Sequence, residues 1–212
     1  MIFNDESLCR LHHLVSDALS DKRYAHTLGV EKMAQHLGSI LIPHRVDELR
    51  VAALLHDITK ELGHDLHIDL ILNSDIEYTR EDILTKPALH SFSAVPYVKR
   101  MFSEYATPDI LSAISNHTLG NSGMTVFDEI IFLSDFIEPG RSYPSCISVR
   151  DYVLSNIRAE KPYEDNIHAL HIATLNAISL TIEMLENRCE NINSRTITTK
   201  EYIQNLINTP FK

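Results

Sequence analysis

Apolar residues recur along this chain at intervals of three and four, the period of helices that each bury one stripe. Leu8, Leu11, Leu14, Val15 and Ala18 form a first stripe. His26, Val30, Met33, Leu37 and Leu41 form a second, which puts His26 on a buried face, and Pro43 ends it. A third helix is expected from about Asp47 to Lys60, with Leu49, Ala53, His56 and Lys60 on one face and Asp57 one step round. Thr107-Pro108-Asp109 reads as a cap, a first-turn proline and an acidic first turn, with Ile110, Ile114 and His117 on one stripe behind it. Another helix runs from Phe127 or Asp128 to Glu138, with Ile131, Phe132 and Asp135 on neighbouring faces, and Pro139-Gly140 stops it. A long pattern covers about Tyr163 to Arg188, and Thr198 with Glu201 has the form of a capping box for a short last helix. Pro96 should kink or break the helix that follows His90.

Few segments alternate with period two, and no hairpin dipeptide separates apolar runs, so the fold class is all-α, a helical bundle. Two loops stand out, Gly120 to Gly123 after His117 and Pro139 to Pro144 after Asp135. No repeat, low-complexity tract or linker divides the chain. Residues 1–212 therefore read as a single domain whose last part, from about 160 onward, is a helical extension.

Composition narrows the field. No run approaches the ~18 consecutive apolar residues of a membrane span. The segment from Met1 to Ser7 lacks the regions of a secretory leader. Cys9, Cys146 and Cys189 are odd in number, far apart and without CxxC spacing, which fits a reducing cytoplasm rather than a disulfide frame. A net charge of −10 argues against broad binding to nucleic acid or anionic lipid. It leaves room for a small phosphorylated substrate, because a metal ion reverses the local sign of the field.

The chemistry gathers where polar residues interrupt apolar faces. His56 and Asp57 close the run Val51-Ala52-Ala53-Leu54-Leu55. A charge and an imidazole buried there cost free energy unless something pairs with them, and a shared metal ion is one partner. In chain order the inward-facing polar residues are His26, His56, Asp57, His90, His117 and Asp135. Histidine with carboxylate suits iron, manganese or zinc rather than a thiolate site, and helical proteins build metal centres from ligands on several helices. A lone histidine on an apolar face is more often a satisfied core residue. Six such groups on four or five helices make that reading poor here. It stands for His12, His13, His36, His44, His64, His67, His168 and His171, including the pair His168-x-x-His171.

The order H…HD…H…H…D resembles the HD-domain metal-dependent phosphohydrolases. The segments Arg23-Tyr24-Ala25-His26-Thr27-Leu28-Gly29, Leu54 to Lys60, His117-Thr118-x-Gly120-x-x-Gly123-Met124 and Phe132 to Arg141 narrow the resemblance to the bacterial YqeK-type family of symmetrical diadenosine tetraphosphate hydrolases, over roughly residues 10 to 190. The resemblance implies that His26, His56, Asp57 and Asp135 ligate an iron-type cation, with manganese or another divalent transition metal as the alternative. For His90 and His117 it leaves two roles: ligands of a second metal with Asp57 bridging, or groups facing the polyphosphate. The second is favoured.

The resemblance also lifts Arg23, Lys60 and Arg141 above the ordinary reading of solvated surface charges, as cations for a phosphate chain. Arginine's planar fork suits that task. Thr118 adds a hydroxyl donor, and Glu138 is placed to orient Arg141. The implied catalytic set is His56, Asp57 and Lys60; the implied substrate set is Arg23, Asp57, Lys60, His90, His117, Thr118, Asp135 and Arg141. Leu119, Asn121, Ser91 and Pro96 depart from the expected pattern, on the substrate side only. The implied reaction is hydrolysis of diadenosine tetraphosphate at an inner phosphorus to two ADP, with water activated by the cation. The same resemblance allows a homodimer. Two other readings are a nucleotidase of the same superfamily acting on mononucleotides, and a nucleotide-binding regulator without catalysis.

Overall fold

The computed structural model describes residues 3–209; Met1 and Ile2 of the segment examined for a leader, and residues 210–212 of the expected domain, lie outside the described residues. In chain order the helices are α1 (Asp5–Ala18), α2 (Asp21–Leu41), α3 (Val46–Leu55), α4 (His64–Leu72) and α5 (Arg80–Leu84). They continue with α6 (Leu89–Met101), α7 (Pro108–Asn116), α8 (Val126–Ile137), α9 (Pro144–Asn156), α10 (Tyr163–Asn187) and α11 (Ser194–Asn208). No strand occurs among the described residues, so the architecture is all-α as the periodicity implies. None of the helices is long and apolar enough to cross a membrane.

Caps account for several starts. Asn4, Ser20, Thr107 and Thr125 each turn a side-chain oxygen onto a backbone N–H of the following turn, satisfying donors that a helix leaves unpaired. Helix α2 lies against α3 and α8, and α8 also packs on α7, α9 and α10, so α8 runs through the middle of the molecule. Its residues Ile130, Ile131, Leu133 and Ile137 meet Leu37, Leu49, Leu54 and Ile114 in one continuous core. A smaller cluster of Ile71, Ala88, Leu89, Phe92 and Leu119 lies under α4.

Three boundary expectations are corrected. Helix α3 ends at Leu55 instead of continuing to Lys60, and residues 56–62 fold as successive turns. The N–H groups of Ile58, Lys60 and Leu62 bond three residues back instead of four, and the fully buried Thr59 donates Oγ1–H to the His90 carbonyl at 2.9 Å, tying these turns to α6. Helix α6 runs through Pro96 without a break. Proline removes one hydrogen bond, but packing against α4 and α7 holds the helix together. The last helix begins at Ser194, not near Thr198. Asn193 caps it by accepting from the Arg195 N–H at 2.8 Å, whereas the Thr198 hydroxyl donates to the Arg195 carbonyl inside the helix. Helices α4, α5 and α9 were not foreseen from the pattern of apolar positions.

The start of α11 is stapled to α5. Arg195 donates to Asp82 Oδ2 at 2.9 Å and Asn193 Nδ2 donates to Oδ1 at 3.1 Å. Burial pushes the Asp82 carboxyl up, but the Arg195 bond, the Thr79 N–H and the Arg195 charge outweigh it and hold it below its ordinary 3.8. A depressed carboxyl stabilises the fold above its unfolded pKa and loses that contribution as pH falls through the folded value. Asp82→Ala is therefore expected to lower the unfolding free energy at pH 7 by roughly 2–3 kcal/mol in urea titrations, somewhat less than for a fully buried pair. The gap between variant and wild type should shrink below about pH 4.

Candidate metal centre

All six inward-facing residues meet at one place. His26 comes from the first half of α2, and His56 and Asp57 from the turns after α3. His90 lies in the first turn of α6, His117 caps the end of α7, and Asp135 sits near the end of α8. His56, Asp57, His90 and His117 are each no more than 3% exposed.

Three of the imidazoles are oriented by their outer nitrogen. His56 Nδ1 lies 2.6 Å from the Ala53 carbonyl, and His117 Nδ1 lies 2.7 Å from the Ile114 carbonyl. A carbonyl only accepts, so each Nδ1 carries the proton and each Nε2 presents its lone pair inward. His26 Nδ1 is 3.2 Å from Glu138 Oε1 and its Nε2 faces the same centre. A partner on the outer nitrogen is how proteins fix the tautomer of metal-ligating histidines. His90 differs. Its Nδ1 and Nε2 lie 3.2 and 3.0 Å from Lys60 Nζ, and Nε2 is also 2.9 Å from His117 Nε2 and 3.2 Å from Thr118 Oγ1.

Asp57 divides the cluster. Its Oδ2 accepts from Arg23 at 2.8 Å and lies 3.5 Å from His56 Nε2 and 3.7 Å from His26 Nε2. Its Oδ1 lies 3.1 Å from His90 Nε2, 3.7 Å from His117 Nε2 and 3.9 Å from Lys60 Nζ. Asp135 Oδ1 stands 3.0 Å from His26 Nε2 and 3.9 Å from His56 Nε2, and accepts from Arg141 at 2.6 Å.

The electrostatics favour ionised carboxylates and keep His56 and His90 neutral. Burial works against the charge of both aspartates. The imidazoles around Asp57 nevertheless hold it well below the usual carboxylate range, as His26 and the Arg141 guanidinium do for Asp135. Burial lowers His56 to about 4 and His90 to about 3 despite the nearby carboxylates. Burial would lower His26 too, but the carboxylate of Asp135, with those of Asp57 and Glu138, raises it instead. Burial likewise lowers Lys60.

These residues fit a cation. His26 Nε2, His56 Nε2 and Asp57 Oδ1 are buried without a hydrogen bond of acceptable geometry, which is costly unless another group satisfies them. Two donor groups, His26-His56-Asp135 and His56-Asp57-His117, have all their ligand atoms within 4.8 Å of one another. Neutral imidazole with carboxylate is the donor set of a borderline-to-hard transition metal.

Several supports escaped the sequence reading. Glu138 meets His26, not the Arg141 side chain: Oε1 faces His26 Nδ1, while Oε2 accepts from the Gly140 N–H at 2.5 Å. Gly29 makes room for it, since a Cβ there would stand 2.4 Å from Glu138 Oε2. A glycine inside a helical pattern signals such an approach and was the available clue. Arg150 on α9 donates to the carbonyls of Ile137, Glu138 and Arg141 at 2.6 to 2.7 Å and so fixes the turn that carries Arg141. Away from the centre, His67 meets Ser93, His12 meets Glu31 and Tyr24, and His171 meets Glu129.

The helical bundle thus sets histidine and aspartate donors that could hold a metal ion beside three cations. Residues 23–157 match the HD domain family, and the chain belongs to that family. The chain is 32% identical over 139 residues to a protein of Halalkalibacterium halodurans named bis(5'-nucleosyl)-tetraphosphatase, symmetrical, with 65% of this chain and 72% of that one aligned. It is 33% identical over 144 residues to a protein of the same name from Staphylococcus aureus, covering 65% and 70%. Its fold is similar to a crystal structure from Clostridium acetobutylicum described as a predicted HD superfamily hydrolase involved in NAD metabolism. That likeness has a TM-score of 0.79 and 25% identity, over 97% of this chain and all of the other.

Removing the support behind His26 is expected to loosen a bound metal without unfolding the protein. Glu138→Ala and Gly29→Ala should each weaken metal retention about 10- to 100-fold in chelator competition. Alanine is a better helix former than glycine, so an unchanged melting temperature of the metal-free Gly29→Ala protein would separate the two effects.

Proposed function

We propose that this protein hydrolyses diadenosine tetraphosphate and related dinucleoside polyphosphates symmetrically, releasing two ADP. The observation that carries the reading is the convergence of three Nε2 lone pairs and two ionised aspartates next to Arg23, Lys60 and Arg141. Its support from outside the chain is the name shared by the relatives from H. halodurans and S. aureus.

In this reading His26, His56, Asp57 and Asp135 hold an iron-type cation, with manganese the alternative. When bound, it supplies Lewis acidity, acidifying water near neutral pH and offsetting phosphoryl charge. His117 is oriented like the ligands and belongs with His56 and Asp57 to the second donor group, so it is the residue a second ion would use. His90 has no such fixed tautomer. With Thr118 and Lys60 it faces the phosphate chain and donates to its oxygens. Arg141, tied to Asp135, and Arg23, tied to Asp57, complete the positive rim. Phosphoryl transfer spreads charge over the equatorial oxygens, and fixed cations in a partly buried site meet that charge without reorganising. Three unpaired cysteines support a reducing compartment, the cytoplasm.

Chromatography of the products tests the assignment. ADP as sole product is expected, whereas AMP with ATP contradicts symmetrical cleavage, and orthophosphate from mononucleotides alone favours the nucleotidase reading. Asp57→Ala should reduce kcat by roughly 10³-fold or more, and Lys60→Ala by about 10²-fold.

A further inference from the structure

Helix α11 lies beyond residues 23–157, the span that matches the HD domain, yet it reaches the segment that carries His117 and Thr118. That segment is a tight turn. The Gly120 N–H donates to the Asn116 carbonyl at 2.9 Å, closing the turn over His117, Thr118 and Leu119, and Gly120 takes φ +73°, the left-handed conformation that ends many helices. Asn116 is itself held, its Nδ2 donating to Ser112 Oγ at 3.1 Å and to Asp128 Oδ1 at 3.4 Å. Leu119 packs into the small core with Ile71, Ala88, Leu89 and Phe92. Thr118, between anchored neighbours, brings its Oγ1 to 3.2 Å from His90 Nε2. From the α11 side the turn meets Thr199, which is fully buried. A Cβ on Gly120 would stand 2.4 Å from Thr199 Cγ2 and 2.8 Å from its Oγ1, so the glycine backbone rests directly on that side chain. The Thr199 hydroxyl donates to the Arg195 carbonyl at 2.7 Å, and the Leu119 carbonyl lies farther off at 3.3 Å. One proton serves both acceptors, so the γ-methyl carries more of the contact than the hydroxyl does. Asn193 and Arg195 tie the start of α11 to Asp82, which keeps Thr199 in place.

Resting on the hydrolase reading above, we propose that Thr199 is a positioning residue for the phosphate side of the site. Its γ-methyl, seated on Gly120, fixes the turn that aims Thr118 at the substrate. The donor nitrogen of His117 does not depend on this contact, because the Ile114 carbonyl sets its tautomer from within α7. Loss of the methyl therefore loosens the grip on the phosphate chain and leaves the metal donors in place. Gly120 in the His117-Thr118-x-Gly120 segment then answers two demands at once, a positive φ and room for a side chain from α11.

Threonine-methyl NMR on the metal-free protein and steady-state kinetics on the metal-loaded enzyme test this together. Thr199→Ala, and the gentler Thr199→Ser that keeps the hydroxyl, are expected to shift or broaden the Thr118 methyl signal. Thr199→Val, which keeps the methyl, is expected to leave it in place. With diadenosine tetraphosphate, Thr199→Ala should raise KM about fivefold with kcat within about twofold and metal per chain unchanged, and Thr199→Val should bring KM back to within about twofold of wild type. In a Thr118→Ala background the Thr199→Ala change should add almost nothing to KM, because both act through one contact. An unmoved Thr118 signal in folded Thr199→Ala and Thr199→Ser, or KM losses that multiply in the double variant, overturns the proposal. A wild type that releases no ADP from the dinucleotide overturns the hydrolase reading instead, and the Thr118 signal still decides whether Thr199 holds the turn.

Discussion

The buried carboxylate of Asp57 is the constraint around which the rest of this molecule is arranged. It is 2% exposed, and among the described residues Arg23 is the one that donates a firm hydrogen bond to it. An ion taken out of water costs several kcal/mol unless opposite charge and donors surround it. Here Oδ2 faces His26 and His56, while Oδ1 faces His90, His117 and Lys60. Two buried imidazoles held neutral do not supply the missing charge. A cation does, and the orphaned lone pairs of His26 and His56 aim at the place where it would sit.

From that constraint the outer layer follows. Backbone carbonyls of Ala53 and Ile114 orient His56 and His117, so two ligands depend on how α3 and α7 end. His26 relies on Glu138, which relies on Gly29 for space and on Gly140 and the Arg150-clamped turn for position. The same turn delivers Arg141 to Asp135. The chain's overall acidity is thus offset locally by Arg23, Lys60 and Arg141, gathered from α2, the 56–62 turns and the loop after α8.

The helical class was legible because most elements carry strong apolar stripes and recognisable caps, as with Thr107 before α7 and Thr125 before α8. Convergence of His26, His56, Asp57, His90, His117 and Asp135 was legible because each interrupts such a stripe. Illegible were features set by tertiary partners. The turns after Leu55 are tied to α6 through Thr59, and the start of α11 is tied to α5 through Asn193 and Asp82, more than a hundred residues apart. Local propensity carries no trace of either tie, although Asn193 is itself an ordinary capping residue. Glu138 was assigned to Arg141 because the two are neighbours in sequence, whereas its side chain turns back to α2. Helix α9 was missed because its buried residues, Cys146, Val149 and Val153, make too sparse a stripe.

His56 belongs to both donor groups, so metal content in its absence tests the account most directly. The measurement is metal per chain by mass spectrometry for anaerobically purified wild type and His56→Ala, with far-ultraviolet circular dichroism confirming that both are folded. The account predicts a transition metal in the wild type and less than about a tenth of it in the variant, the loss expected for removing a ligand common to both groups. A wild type that takes up no transition metal, or a folded variant that keeps the full complement, would contradict it.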